Sequence, residues 1–114
     1  MKLRSFVWIN NMARYNEKAL SLEKQNELMD EFCQILSVLQ KKEKIFNFLK
    51  DLFNRKERLM IIRRLLIARR LEEGKKYYQI QAEFKCGRNT ISRVQKLLHF
   101  GRGGYRVAIS AIKK

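Results

Sequence analysis

The chain has 114 residues, a formal net charge of +15 and a pI near 10.3, with five glycines and no proline. Its length suits one domain whose modest core would gain from a partner chain, and its abundance of Lys, Arg, Glu, Leu and Ile predicts an all-α fold with about five to six helices. The excess of positive charge favours a polyanionic partner. The apolar run at residues 6–9 is too short for a signal peptide or a membrane span, so we expect a cytoplasmic protein with reduced thiols and no membrane partner.

The residue types and their spacing give little indication of a catalytic site or a metal site. His99 is the single histidine, and Cys33 and Cys86 have neither ligand nor redox spacing. A buried thiol is the better interpretation of Cys86, because it falls at an apolar position of the helical pattern described below. The chain also lacks a nucleotide-binding glycine loop and a pair of carboxylates in catalytic spacing. We therefore expect no enzyme activity, no metal site and no cofactor.

The first 20 residues combine several large apolar side chains with a few basic ones. They predict an N-terminal arm or a short helix that lies on the body of the protein or on a partner chain. A free basic arm that binds DNA is the weaker alternative, because the apolar residues outnumber the basic ones. We take residues 1–20 as this segment and residues 21–114 as one helical domain.

Two amphipathic helices are predicted next, one over residues 22–40 and one after the basic pair Lys41 and Lys42. Their apolar stripes comprise Leu28, Phe32, Ile35, Leu36 and Leu39 in the first helix, and Ile45, Phe48, Leu49, Leu52 and Phe53 in the second. Both stripes are wide for so small a chain. They form either an ordinary core or, as we prefer, a surface that is partly buried in a second copy of the chain.

A third helix is predicted from Asn54 to about Glu73. Asn54 and Glu57 have the spacing of a capping box, and Gly74 is placed to end the helix as a C-cap. The predicted inner face consists of Ile61, Ile62, Leu65, Leu66, Ala68 and Leu71. The rest of this helix is crowded with arginine.

Residues 77–98 carry the most informative pattern in the chain. The apolar residues of this stretch are Ile80, Phe84, Cys86, Ile91 and Val94. Intervals of three and four keep one face of a helix inward, and the interval of two in the middle marks a tight turn. The pattern predicts a helix-turn-helix whose second helix lies in the major groove of DNA. The turn position usually taken by glycine holds Lys85, so a left-handed backbone there would cost about 1–2 kcal/mol.

The polar residues of the same stretch support a DNA interface. Arg88 and Asn89 lie in the first turn of the second helix, where Arg can pair with guanine and Asn with adenine. Basic residues lead into the motif and suit phosphates, which fix the register of a protein on DNA without reading sequence. The full predicted DNA-binding set is Lys75, Lys76, Tyr77, Gln81, Lys85, Arg88, Asn89, Thr90, Ser92, Arg93 and Lys96.

Positive charge is concentrated in the same half of the chain. Residues 1–54 hold nine Lys and Arg against seven Asp and Glu, whereas residues 55–114 hold seventeen against four, a net charge of +13. A merely solubilising charge would be spread more evenly. The distribution therefore favours a DNA-binding motif over an ordinary pair of surface helices.

The segment after residue 98 is rich in glycine. Gly101, Gly103 and Gly104 are predicted to end the recognition helix, and the apolar residues that follow, up to Ile112, predict a closing helix packed back on the body. A phosphate cradle in this segment has little support, because no strand precedes it.

With these residues in view, the chain resembles the Trp repressor family, and more closely its Trp-repressor-related (YerC/YecD-type) branch of bacterial regulators. The resemblance covers roughly residues 22–112 and rests on the segments KDLFNRKE, IIRRLLIARRLEEGKKY, TISRV and LHFGRGGY, of which the last points to the related branch. It implies a Trp-repressor-like, intertwined homodimer with two helix-turn-helix heads one turn of DNA apart.

The resemblance also implies a candidate effector pocket. By position, Arg64 and Arg93 match the two arginines that sandwich the tryptophan indole in the true repressor, and Asn54 lies near the carbonyl groups that hold its ammonium. Val94 and Leu97 stand where that family has a small glycine and a ligand-contacting serine, so branched side chains would fill the pocket. We therefore expect no tryptophan binding, or a different small-molecule effector. Surface or phosphate-contacting roles for the two arginines are equally consistent with the sequence.

These expectations describe a homodimeric transcriptional regulator, with repression as the expected mode, that binds a specific site in double-stranded DNA. Two alternatives stay open. One is a non-specific nucleoid or RNA-binding protein, driven by counterion release. The other is an interaction module whose helix-turn-helix docks a protein partner.

Overall fold

The structure, a computed structural model, describes residues 16–111. A short 3-10 helix, Glu17–Ala19, is followed by six α-helices: α1 (Leu22–Ser37), α2 (Lys42–Leu52), α3 (Arg55–Glu72), α4 (Tyr77–Phe84), α5 (Arg88–Phe100) and α6 (Gly104–Ser110). No strand occurs within the described residues, which confirms the predicted all-α fold of five to six helices. Most of the predicted arm, residues 1–15, lies outside the described range. The helices group into two compact units, Met1–Asn54 and Arg55–Lys114.

The first unit contains α1 and α2. The Ser21 hydroxyl caps α1 by accepting a hydrogen bond from the backbone N–H of Lys24 at 3.1 Å. The helix ends at Ser37, earlier than the predicted residue 40, because the N–H of Leu39 bonds back to the carbonyl of Leu36 in a tighter turn. The second helix begins at Lys42, one residue earlier than predicted, with Lys41 as its N-cap.

The apolar stripes of α1 and α2 are open in this chain. Neither helix has a buried residue, and Phe32, Ile35 and Ile45 are 37%, 48% and 37% exposed. The alternative of an ordinary core therefore does not hold for the described residues of this unit. Burial in a second copy stays a prediction, and it is the one that these exposed side chains favour.

The second unit has a small closed core. Its buried residues come from three helices: Ile67, Ala68, Ile80, Ile91, Val94 and Leu98. Helix α6 packs on α3 and α5, with Tyr105 and Ile109 against this core, which confirms the predicted closing helix. The core thus fixes the relative positions of α3, α4, α5 and α6, and with them the helix-turn-helix.

The inner face of α3 differs from the prediction. Ile67, which the predicted face left out, is fully buried beside Ala68, whereas Ile61 and Leu65 of that face are 43% and 39% exposed. The reason is that the buried residues of α3 lie in its C-terminal half, where the core of this unit forms. The predicted C-cap is confirmed: Gly74 has a φ of 85°, which suits a residue without a Cβ atom.

Candidate nucleic-acid interface

The turn between α4 and α5 is short and strained at one residue. Helix α4 ends at Phe84, Lys85 adopts the left-handed conformation with φ 52° and ψ 51°, and Gly87 is the N-cap of α5 in an extended conformation. This confirms the predicted break, and the left-handed backbone of Lys85 is a finding of the structure. The two helices are therefore separate elements that meet at a bend, as a helix-turn-helix requires.

The apolar residues of the motif face inward as their spacing predicts. Ile80 is 1% exposed, Ile91 0% and Val94 3%, while Phe84 and Cys86 pack against the same core at partial burial. Since these residues occupy one face of each helix, the polar residues between them are turned to the outside.

Most of the predicted DNA-binding residues lie on that outer surface. Two groups can be distinguished by burial. The exposed group is Lys75, Lys76, Lys85, Arg88, Asn89, Ser92, Arg93 and Lys96, and the half-buried group is Tyr77, Gln81 and Thr90. The structure thus gathers the whole set on α4, on α5, on the turn between them and on the two residues before α4. The exposed group is strongly basic.

Arg88, the first residue of α5, lies over an aromatic ring. Its guanidinium carbon lies 4.7 Å from the centroid of the Tyr77 ring, the first residue of α4. The Tyr77 hydroxyl donates a hydrogen bond to the Oε1 atom of Gln95, farther along α5. Sequence reasoning placed Tyr77 in the DNA-binding set, next to the basic residues that suit phosphates, and did not single out Gln95. No local spacing could have shown either contact, because they cross the turn.

An ion pair ties α3 to α4. The Nε and Nη2 atoms of Arg70 donate to the Oε1 and Oε2 atoms of Glu83, each at 2.9 Å, and the guanidinium lies 5.6 Å from the centroid of the Phe84 ring. The hydrogen bond from Arg70 lowers the pKa of Glu83, and the same bond raises the pKa of Arg70. Sequence reasoning treated Arg70 as one of several crowded surface arginines and missed this role.

Arg106 fixes the end of the recognition helix to α6. Its Nε atom donates to the carbonyl of Leu98 at 3.1 Å, and its Nη1 atom lies 3.3 Å from the Oε2 atom of Glu72 on α3. Its Nη2 atom is 3.3 Å from the Nδ1 atom of His99. The sequence analysis placed Arg106 within the predicted closing helix but predicted none of these contacts.

The residues of the candidate effector pocket are spread over both units. Arg64 and Arg93 are exposed, and Asn54 is half-buried in the first unit. Val94 belongs to the core of the second unit, so its bulk is already accommodated there. Leu97 is 51% exposed.

Leu97 lines an open groove of about 680 Å³. Its other lining residues are Leu65, Phe100, Gly101, Arg102, Gly104 and Tyr105. None of the three predicted pocket residues lines this groove. The arginine pair and the groove are thus distinct features of the second unit.

Across residues 16–111, no helix is both long enough and apolar enough to cross a membrane.

Comparisons with known proteins agree with the architecture just described. The family model for the Trp repressor protein matches residues 27–113. The uncharacterised protein YerC of Bacillus subtilis is 36% identical over 88 residues, which cover 77% of this chain and 84% of that protein. The crystal structure of a candidate Trp repressor from Staphylococcus aureus superimposes with a TM-score of 0.72 at 26% identity, over 82% of this chain and 94% of that one.

The family match covers most of the chain, including the complete helix-turn-helix and α6. The similarity to YerC agrees with the branch that the LHFGRGGY segment pointed to. The chain belongs to the Trp repressor family of helix-turn-helix regulators, in its Trp-repressor-related, YerC-type branch.

Proposed function

We propose that this protein is a homodimeric transcriptional regulator that binds a specific site in double-stranded DNA through α4, the turn and α5. One observation carries the proposal. Arg88 is exposed at the start of α5, and its guanidinium donates no hydrogen bond to any atom of the described residues, while Ile91 and Val94 of the same helix are buried. An arginine with free in-plane donors at the start of a recognition helix suits the O6 and N7 acceptors of guanine. Asn89, exposed beside it, suits adenine in the same way.

Affinity without sequence preference comes from the basic residues around the motif. Lys75 and Lys76 are exposed immediately before α4, Lys85 lies in the turn, and Lys96 is exposed on α5. Lysines placed around a recognition helix contact phosphates, release condensed counterions and fix the protein's register on the duplex. The net charge of +13 in residues 55–114 also supports phosphate contacts as the source of affinity without sequence preference.

The dimer is supported by the first unit. Helices α1 and α2 expose large apolar side chains that a single chain leaves open, among them Met29, Ile35 and Phe46, which are 61%, 48% and 61% exposed. A second copy offers the same surface and would bury both sets by two-fold symmetry. A two-fold dimer with one recognition helix per copy reads an approximately palindromic site whose half-sites lie about 10 bp apart, centre to centre.

Tryptophan is not expected to be the effector. Leu97, which is 51% exposed, places a branched side chain where the family's pocket has a ligand-contacting serine. Arg64 and Arg93 remain exposed and available either to a different small molecule or to phosphates.

The experiment that tests the proposal is selection of bound duplexes from a random pool by the full-length wild-type protein, with and without added amino acids. We expect a two-fold-related consensus with half-sites about one helical turn apart, and the same consensus with or without tryptophan. A pool that shows no enrichment would contradict sequence-specific recognition. A consensus that appears only with tryptophan would contradict the proposed loss of that effector.

Three variants separate base reading from phosphate contact. Arg88→Ala or Asn89→Ala should cost about 1–3 kcal/mol at one base position each, whereas Lys76→Ala should weaken binding to all sequences alike and reduce the salt dependence. If Arg88→Ala also weakens all sequences equally, Arg88 contacts phosphate and not a base.

The net charge favours one rival function, non-specific binding of nucleic acid. It predicts the same steep salt dependence but equal affinity for selected and random duplexes. The affinity ratio therefore separates the two functions, and the salt dependence alone does not.

A further inference from the structure

We infer that Tyr77 is a positioning residue for base recognition: its ring holds the Arg88 guanidinium with its hydrogen-bonding edge free, and Gln95 holds the ring. This inference rests on the proposed function. It assigns Tyr77 to specificity and not to phosphate contact. It also assigns a role in specificity to Gln95.

The stack leaves the recognition groups of Arg88 available. A cation–π contact is an electrostatic attraction to the face of the ring and requires none of the five N–H donors of a guanidinium. Arg88 lies 4.7 Å from the Tyr77 ring centroid and makes no hydrogen bond or ion pair within the described part of the chain. A pair of parallel donors on the edge of a guanidinium is the arrangement that reads the O6 and N7 atoms of guanine.

A second arginine in the same unit shows the alternative use of such a stack. Arg70 lies 5.6 Å from the Phe84 ring centroid, but its in-plane donors are taken by both carboxylate oxygens of Glu83 at 2.9 Å. Arg70 therefore uses one edge of its guanidinium within the protein and joins two helices. Arg88 has the same kind of aromatic support, a shorter distance to its ring, and no carboxylate partner among residues 16–111.

Two contacts fix the Tyr77 ring itself. Tyr77 packs at partial burial against the core, and its hydroxyl donates to Gln95. Arg88 and Gln95 are seven residues apart on α5, a spacing that places both on one face of that helix about two turns apart. The ring thus contacts α5 at two places and resists rotation away from Arg88.

The Tyr77 ring therefore preorganises the Arg88 side chain in the free protein for contact with a base. A free arginine side chain loses much of its conformational freedom when it binds a base edge, and a side chain already held by a ring loses less. Removing the ring should therefore reduce discrimination at the base pair that Arg88 reads more than it reduces the affinity that phosphate contacts supply.

The test measures dissociation constants of full-length protein for the selected duplex, for its single-base-pair variants and for random duplex. The proteins are the wild type, Arg88→Ala, Tyr77→Leu, Tyr77→Phe and the double variant Tyr77→Leu/Arg88→Ala. Phe84→Leu is the matched control, because it removes the ring of the other stack, whose arginine is held by Glu83. Circular dichroism confirms that each variant is folded.

Arg88→Ala should lose about 5- to 150-fold of discrimination at one base pair, which identifies the position that Arg88 reads. Tyr77→Leu should lose about 2- to 5-fold at that same base pair, a larger loss than its loss of affinity for random duplex. Tyr77→Phe, which keeps the ring and loses the bond to Gln95, should lose less than Tyr77→Leu. The double variant should match Arg88→Ala, and Phe84→Leu should discriminate as the wild type does.

Several results would overturn the inference. One is that Tyr77→Leu discriminates between base pairs as well as the wild type does. Another is that Tyr77→Leu weakens specific and random binding equally. A third is that the double variant loses more discrimination than Arg88→Ala. If the wild type discriminates but Arg88→Ala changes no single position, the proposed function stands and this inference fails. If the wild type itself does not discriminate, both fail.

A readout on the wild-type protein covers the case in which Tyr77→Leu does not fold. The ring current of Tyr77 should shift the Nε–H proton resonance of Arg88 upfield of that of Arg93, which is exposed on the same helix and forms no cation–π contact with a ring of residues 16–111. Equal resonances for the two arginines in the free protein would overturn the inference.

Discussion

Arg70 on α3 and Glu83 on α4 form a two-bond ion pair, with both N···O distances at 2.9 Å. The pair joins the helix that carries the core to the first helix of the DNA-binding motif. Both side chains are partly exposed, 23% and 45%, so solvent and salt weaken the contribution of the pair to stability. Its main consequence is a defined position of α4 on α3.

This pair predicts a specific acid sensitivity. Because the hydrogen bond from Arg70 lowers the pKa of Glu83 below its ordinary value of about 4.5, the stabilisation is complete above that value and is lost as the pH falls through the lowered pKa. Thermal unfolding followed between pH 7 and pH 3 should show a smaller fall in melting temperature for Glu83→Gln than for the wild type. Parallel curves for the two proteins below pH 5 would contradict the prediction.

Lys85 predicts a stabilising substitution. Its left-handed backbone, φ 52° and ψ 51°, strains any residue that has a Cβ atom, by about 1–2 kcal/mol. Lys85→Gly should raise the free energy of unfolding by about 0.5–1 kcal/mol once the greater entropy of glycine in the unfolded chain is counted. Lys85→Ala is the control, because it removes the same charge and keeps the Cβ atom. Urea unfolding that ranks the alanine variant level with the glycine variant would count against backbone strain.

The position of Gly101 predicts a destabilising substitution. A Cβ atom at this position would lie 2.4 Å from the carbonyl oxygen of Leu97, which also accepts the backbone hydrogen bond of Gly101 at 2.8 Å. Gly101→Ala should therefore cost about 1–3 kcal/mol, as other overpacked sites do. Gly104→Ala is the matched control, since a Cβ atom there meets nothing within 4 Å, and it should be neutral or stabilise by up to about 1 kcal/mol. Equal stability of the two variants in urea would refute the steric argument.

The exposed face of α1 predicts how the dimer can be broken. Ile35 is 48% exposed in the single chain, and a charge there would have to be desolvated in the interface of a dimer. Ile35→Asp should raise the dissociation constant of the dimer by at least about 30-fold, measured by sedimentation equilibrium. Asn26→Asp adds the same charge on the opposite side of α1 and should leave the dimer intact. A wild-type protein that sediments as a monomer, or an Ile35→Asp variant that stays dimeric, would contradict the proposed interface.

Local spacing predicted the helix-turn-helix in detail. Ile80, Ile91 and Val94 are buried because intervals of three and four residues place apolar side chains on one helical face, and that rule needs no tertiary information. The same spacing predicted the bend at residues 85–87, whereas the left-handed backbone of Lys85 is a finding of the structure.

The sequence did not predict contacts made between elements. Ile67 was left out of the inner face of α3 because apolar residues occur on several sides of that helix, and only its packing partners decide which side is buried. The stack of Arg88 on Tyr77 and the pairing of Arg70 with Glu83 depend on helices whose relative positions spacing does not give. The DNA-binding residues could therefore be proposed as a set, but not their individual roles.

The measurement that tests the central claim most directly is the ratio of two dissociation constants for the wild-type protein at about 150 mM salt, one for random duplex and one for the selected site. Since α5 presents Arg88 and Asn89 outward on a helix held by a buried apolar face, the ratio should be about 10³ or higher. A ratio near one would contradict base reading by this helix and would leave a basic protein that binds nucleic acid through charge alone.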